Sequence, residues 1–410
     1  MMDYLNKIFR GDRVIWMIFL FLCLISIVAV YSASSMLTFQ TNYWLPIMKH
    51  TMFLLAGTGV VLLIHSVDPK YFRVFVVMLP FVWMLLIATQ FMGQTVNNAN
   101  RYVFGFQPSE IAKLSLISCV AFILSRKKNK KSESMSFKWI WILTIITCIL
   151  ILIDNFSTGT ILYLVIVILM FIGQISLRKM GTLVFTTFAF LALLFAFIWF
   201  APNAAKEVGL KRGVLWVERI QNYKEQPDIR NGNYVITDEN YQTTQANIAI
   251  ARGKFFGNMP GNGQQRDFLP QAYSDFIFAI IIEETGIIGG IFVLSLYVFL
   301  FIRAGVIAGR CAKLFPKFLV MGCALMMVTQ ALVNMAVAVG LMPVTGQTLP
   351  LISKGGSSIL TTCVFFGIIL SVSRFENPRG VLQEEEIMEE FEEEKRLFID
   401  DEQLSGQAVY

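Results

Sequence analysis

Ten apolar runs, each near the length a helix needs to cross a lipid bilayer, recur along this chain of 410 residues. They lie near 14–34, 47–66, 74–92, 108–125, 139–154, 160–177, 182–201, 275–302, 318–342 and 358–373. The hydrocarbon core of a bilayer is ~30 Å thick and takes about 20 helical residues to span. Within it, every backbone N–H and C=O must find a partner in the chain, which a helix provides inside one segment. The sequence therefore reads as an all-α integral membrane protein with ten transmembrane helices. The fourth, fifth and tenth runs are short, so length sets their ends less sharply. Composition agrees, with 56% hydrophobic and 15% charged residues and a mean hydropathy of +0.62. A soluble core of this size does not use so much apolar sequence.

The first run has the flanks of a secretory signal: Lys7, Arg10 and Arg13 precede it, and Ser32-Ala33-Ser34 resembles a cleavage site. Its apolar stretch of about 20 residues exceeds the usual signal core of about 7–15, so it is read as a helix. Basic residues then set the orientation. Lys70 and Arg73 follow run two, Arg126 to Lys131 follow run four, and Arg178 and Lys179 follow run six. Arg303, Arg310, Lys313 and Lys317 follow run eight, whereas the alternate short loops hold only Arg101 and Lys354. Both termini are expected in the cytoplasm. The formal charge of +6 is mostly this asymmetry, so no nucleic-acid partner is needed to explain it. The six cysteines fall in or beside the spans, which argues against disulfides. His50 and His65 are the only histidines, and no His/Cys group has the spacing of a zinc site.

One connection is long. Residues 202–274 form a polar loop, placed outside the cell before helix eight, and the piece "RGKFFGNMPGNGQQRDFLP" suggests that its second half is ordered. Residues 1–378 read as one membrane domain and 379–410 as an acidic cytoplasmic tail. The tail is read as a solvated face, with Ile387, Phe391, Leu397 and Phe398 leaving room for a partner-binding helix.

Polar groups inside spans are costly and call for a reason. Glu110 and Lys113 stand three apart on one face of run four, as a self-neutralising pair or as the lining of a polar cavity. Asp154 opens the turn "DNFSTG", either as its cap or in that cavity. In "PVTGQTLPLISKGGSS" two prolines and three glycines before Ser357-Ser358 forbid a continuous helix, and irregular backbone near the membrane must be buried or face a wet cavity. The Gly-rich turn ends at a helix N-terminus with Lys354 beside it, a combination suited to phosphate and equally to an ordinary turn. Run eight opens on Asp275 and carries Glu283 and Glu284 deeper. By helical geometry Glu283 lies about 80° round and about 12 Å below Asp275, facing the same cavity, while Glu284 is turned nearly opposite, toward neighbouring helices. Asp275 reads as a helix cap shared with Ser274, or as the acid at the cavity mouth.

Together, "NRYVFGFQPSEIAKL", "LPQAYSDFIFAIIIEETG" and "PVTGQTLPLISKGGSS" closely resemble the FtsW/RodA family of SEDS proteins, and "GNMPGNGQQRDFLP" resembles its cell-division branch. The resemblance covers nearly all of the chain except the tail. It implies a peptidoglycan glycosyltransferase that polymerises lipid II and releases undecaprenyl pyrophosphate, with Asp275 as general base. The candidate cavity residues are Glu110, Lys113, Asp154, Arg101, Glu283, Lys354 and Ser357. A divalent cation (Mg or Mn) of unknown ligands is compatible, and the implied partners are a class B penicillin-binding protein transpeptidase and other divisome proteins at the septum. Tyr102, Tyr273 and Lys354 stand where Trp, His and Tyr are common in the family. Two other classes of function use the same intramembrane charges: a lipid II flippase and a non-catalytic divisome scaffold. Inverted repeats of the kind many transporters carry are not evident in the sequence.

The orientation yields a direct check. A cysteine engineered within 230–245 should be labelled by an impermeant reagent from outside, and one within 126–138 should not; the reverse pattern would overturn the topology.

Overall fold

A computed structural model describes residues 10–34, 45–92, 94–96, 99–102, 107–127, 129–201 and 240–375, with a few isolated positions between 203 and 217. The acidic tail, most of 202–239 and the side chains of Arg101 and Asp154 lie outside the described residues. Each apolar run falls on a helix. These are α1 (Arg13–Ala33), α2 (Leu45–His65), α3 (Val74–Met92), α4 (Pro108–Ser125), α5 (Lys130–Asp154), α6 (Phe156–Ile172) and α7 (Leu177–Phe200). After the long loop come a polar helix α8 (Tyr241–Gly253), then α9 (Ile277–Arg310), α10 (Leu314–Ala338) and α11 (Gly356–Phe375). Among the described residues nine helices are long and apolar enough to span. The remaining apolar one, α6, has 17 residues and is ~25 Å long, a little under the core thickness.

Two boundaries differ from the expectation for local reasons. Helix α5 starts at Lys130 rather than 139, because the Asn129 side chain accepts the Ser132 N–H at 2.9 Å and caps the helix before the apolar stretch begins. Helix α9 runs on to Arg310. Its Arg303 donates at 2.7 Å to Asp12, the residue whose other oxygen caps α1 through the N–H groups of Val14 and Ile15. The described residues also form one short antiparallel hairpin, β1 (Gln94–Val96) with β2 (Ala99–Tyr102).

The centre of the bundle is built from α4, α10 and α11, buried nearly all round, whereas α7 packs at the rim with most of its surface outward. Small residues let backbones approach where two helices meet tightly. A Cβ at Gly57 would sit 2.5 Å from Cys363 Sγ, and one at Gly322 would sit 2.4 Å from Ile117.

Helix α9 is broken one third of the way along. Gly286 has φ 75° and ψ −177°, so the helical ladder stops there. The freed groups are taken by the loop after α8: the N–H groups of Asn258 and Met259 donate to the carbonyls of Glu283 and Glu284 at 3.0 and 2.9 Å, and Ile287 N–H donates to Lys254 O at 2.9 Å. Unpaired backbone at membrane depth is costly, so break and loop stabilise one another. A Cβ at Gly286 would lie 2.1 Å from the Phe255 carbonyl oxygen, on a backbone conformation that favours glycine. Gly286→Ala should therefore lose at least about 1–3 kcal/mol, the usual scale for backbone strain. Gly305→Ala, also in α9 but with open space at its Cβ, should be neutral or slightly stabilising. Thermal unfolding of both variants in the same detergent checks the contrast.

Candidate active site

The segment between α10 and α11 enters the bundle without helical structure from about 341 to 355. Its carbonyls are accepted partners of side chains from four different helices. Ser157 of α6 donates to Thr345 O at 3.2 Å, and Asn334 and Gln330 of α10 donate to Gln347 O and Thr348 O at 2.6 and 3.0 Å. Tyr297 of α9 donates to Pro350 O at 2.5 Å, and Ser26 of α1 to Ile352 O at 2.9 Å. In the other direction, Gln347 reaches back to Thr158 Oγ1 at 2.9 Å. Each bond replaces one that a helix would have made internally, which is how irregular backbone persists at this depth.

This segment leans on the turn that carries Asp275. The Asn334 amide donates to Asp275 O at 2.8 Å, Ser353 donates to Ser274 O at 2.6 Å, and Lys354 N–H donates to Tyr273 O at 3.0 Å. Between them lies a polar cavity of about 130 Å³, lined by Gln107, Glu110, Asn155, Thr158, Gln271, Ser274, Asp275, Gln330, Gly346, Gln347, Thr348, Lys354, Gly355, Ser357 and Ser358. That is room for several waters, and the lining is polar enough for a phosphate or the hydroxyls of a sugar. A larger cavity of about 280 Å³ between α5, α6 and α7 is almost entirely apolar. The hydroxyls of Thr160, Tyr163 and Thr186 there already donate to neighbouring groups, so it offers little to a polar reactant.

Asp275 is not a helix cap. Helix α9 begins at Ile277 with Phe276 in the cap position and no side-chain capping bond, so the carboxylate sits two residues before the helix. Ser274 donates to its Oδ1 at 2.8 Å, and Gly346 comes so close that a Cβ there would lie 3.5 Å from Oδ2. Gly346 has φ 65°, which lets the Thr345-Gly346 turn fold against the carboxylate. Across the cavity, α11 starts at Gly356, and its first N–H groups have no carbonyl one turn back within the helix. Lys354 stands beside that N-terminus. Burial holds its ammonium below the ordinary lysine range, and Lys49 adds to the effect.

Glu110 and Lys113 form a closed pair in the wall, with Lys113 Nζ 2.8 Å from both carboxylate oxygens and 3.3 Å from Gln330 Oε1. Lys113 is 1% exposed, so the pair balances its own charge and ties α4 to α10.

A family model described as a cell cycle protein, of the FtsW, RodA and SpoVE group, matches residues 12–378. The chain belongs to this family. It is a multi-pass membrane protein. A probable peptidoglycan glycosyltransferase FtsW of Saccharophagus degradans is 32% identical over 85% of this chain and 89% of its own length. Another of that name from Geobacter sp. (strain M18) is 28% identical over 88% and 96%. The same fold is seen in a chain of a structure described as "Structural coordination of polymerization and crosslinking by a peptidoglycan synthase complex", with a TM-score of 0.68, 22% identity and coverage of 90% and 99%. It is also seen in the rod shape determining protein RodA of Thermus thermophilus, with a TM-score of 0.61, 22% identity and coverage of 89% and 97%.

Of the residues singled out in the sequence, Asp275, Glu110, Lys354 and Ser357 line this polar cavity, and Lys113 stands behind Glu110. Glu283 does not line it. It is fully buried and bonded to the loop after α8; α9 starts only at Ile277, so the continuous helix from Asp275 assumed for it does not form. Glu284 faces a neighbouring helix as expected, accepting the Ser32 hydroxyl of α1. Gln330, Asn334, Asn155, Thr158 and Tyr297 escaped the sequence reading. Gln330 and Asn334, one turn apart inside an apolar run, carried the signal that intramembrane polar residues have a job. Two of the departures from the family pattern are partners: Lys354 Nζ lies 4.9 Å from the Tyr273 ring centroid, a cation–π contact that keeps the ammonium at the cavity.

Removing one member of the buried pair exposes its cost. Lys113→Met should lose about 3–5 kcal/mol by leaving Glu110 buried without its cation, and the double variant Lys113→Met, Glu110→Gln should recover part of that. Thermal unfolding of the single and double variants checks the order.

Proposed function

We propose that the chain is a peptidoglycan glycosyltransferase that joins lipid II units into glycan at the outer face of a bacterial plasma membrane. The observation that carries this reading is that Asp275, Lys354 and the N-terminus of α11 line one polar cavity. Family membership and the names of the relatives support it. The chemistry needs the 4-hydroxyl of one sugar to attack the anomeric carbon of another as the bond to the lipid pyrophosphate breaks. Asp275 accepts the hydroxyl proton, since a positioned carboxylate makes a weak nucleophile competent. Ser274, bonded to Oδ1, sets the direction of that carboxylate. Lys354 and the N–H groups of Gly356, Ser357 and Ser358 receive the negative charge that collects on the departing pyrophosphate. Glu110 and Lys113 shape the wall and keep it polar without adding net charge.

Among the described residues no three His, Cys, Asp or Glu side chains converge, and Asp275 is the cavity carboxylate that would hold a divalent cation (Mg or Mn) together with substrate oxygens. Bound there, it would neutralise charge on the pyrophosphate. The reading also places the termini in the cytoplasm and the protein at the division septum. Its partner is a class B penicillin-binding protein transpeptidase, with other divisome proteins.

Purified protein, with that transpeptidase if required, should form glycan from lipid II in detergent. Detergent micelles have no two sides, so product there excludes a flippase or a passive scaffold as the whole function. Asp275→Asn should lower polymerisation about 10²–10⁴-fold, the range for loss of a positioned base, with an unchanged melting temperature. Raising the Mg concentration should restore part of the rate if Asp275 acts through a cation and none if it acts as base. Full activity of a well-folded Asp275→Asn protein ends both versions.

A further inference from the structure

Two buried carboxylates near the cavity take no part in it, and both hold the same piece of loop. Glu283 Oε1 accepts the N–H groups of Gln264 and Gln265 at 2.9 and 3.1 Å, and Gln265 also reaches Oε2 at 3.2 Å. Glu284 Oε1 accepts the Gly261 N–H at 3.2 Å and the hydroxyl of Ser32, which in turn accepts from Arg266 at 3.0 Å. The loop is thereby tied to α9 and α1 at once. From Gln265 onward the backbone proceeds in bonded turns to the reacting residue. Leu269 N–H donates to Gln265 O at 2.8 Å, Ala272 to Leu269 O at 3.2 Å, and Asp275 to Gln271 O at 3.2 Å. Two residues later α9 begins and leads back to Glu283. Residues 265–283 therefore form a ring that includes Asp275 and is closed by the Glu283 carboxylate.

We propose that Glu283, seconded by Glu284, is a positioning residue that holds Asp275 at its place in the cavity by clamping the loop at Gln264 and Gln265. The inference rests on the reading of Asp275 as the reacting carboxylate. One side of the Asp275 turn is held by Asn334 and Ser353, and the clamp supplies the other side. Without it the ring opens, and the turn pivots on the remaining bonds. A displacement near 1 Å at a reacting group is enough for a loss of up to about 10²-fold in rate, with substrate binding little altered.

The test uses the full chain, Glu283→Gln and a second variant that leaves both acids intact. Gly263→Ala is that variant, since its Cβ would lie 3.0 Å from Glu283 Oε2 and 3.2 Å from Glu284 Oε1, so that loop and carboxylates must shift apart by a few tenths of an ångström and the clamp loosens. Each should lower kcat about tenfold while KM for lipid II stays within about twofold, the mark of an interaction needed for the reacting geometry. Amide exchange across 258–267 should quicken, at an unchanged melting temperature. Combined with Asp275→Asn, neither should cost more than Asp275→Asn alone, because residues acting through one group are not additive. Wild-type kcat alongside faster exchange would overturn the proposal, as would losses that multiply in the double variants. If Glu283→Gln fails to fold, Gly263→Ala decides. Full activity of Asp275→Asn would refute the catalytic reading instead, and the exchange data would still report whether the clamp holds the loop.

Discussion

Non-helical backbone inside a membrane protein must be satisfied by groups other than water, and this bundle is organised around one such stretch. The carbonyls of Thr345, Gln347, Thr348, Pro350 and Ile352 are each met by a side chain from α6, α10, α9 or α1. Loss of any donor leaves a polar group in apolar surroundings, at about 1–3 kcal/mol each. The polar residues of those helices are therefore part of the scaffold as much as of the site. Asn334 shows the economy of the arrangement, since one amide bonds both Gln347 O and Asp275 O and so couples the two halves of the cavity.

The same rule explains the broken α9. A glycine conformation at Gly286 frees backbone groups, and the loop after α8 fills them strand-fashion. That docking brings glycine-rich backbone against the helix and places the loop amides over Glu283 and Glu284. The first third of α9 is thus fastened to the loop after α8, while the remainder, Ile287–Arg310, is long enough to span by itself.

The three carboxylates around this point have separate work set by their surroundings. Asp275 lines a cavity together with a lysine and a helix N-terminus. Glu283 and Glu284 are enclosed by backbone N–H groups and a hydroxyl, which hold a carboxylate in place but leave it no contact with a substrate. Glu110 is neutralised by Lys113. Nearness in sequence or in space does not give these acids a common role; the partners of each oxygen do.

The number and length of apolar runs, the long polar loop and the breaking of helix by "PVTGQTLPLISKGGSS" are local properties, so the sequence alone determined the helical membrane class and the outline of the fold. Asp275, Glu110, Lys354 and Ser357 were legible as cavity residues because a charge or Gly-rich turn beside an apolar run is anomalous wherever it packs. The place of Glu283 was not legible. Its direction depends on where α9 starts and on a loop bonding to it from 18 and 19 residues away, neither of which helical periodicity contains. Nor did the sequence pair Lys354 with Tyr273, or Gln330 and Asn334 with the carbonyls they satisfy. Those partnerships join segments far apart in the chain, and only packing of the helices decides which polar group each buried oxygen or nitrogen meets.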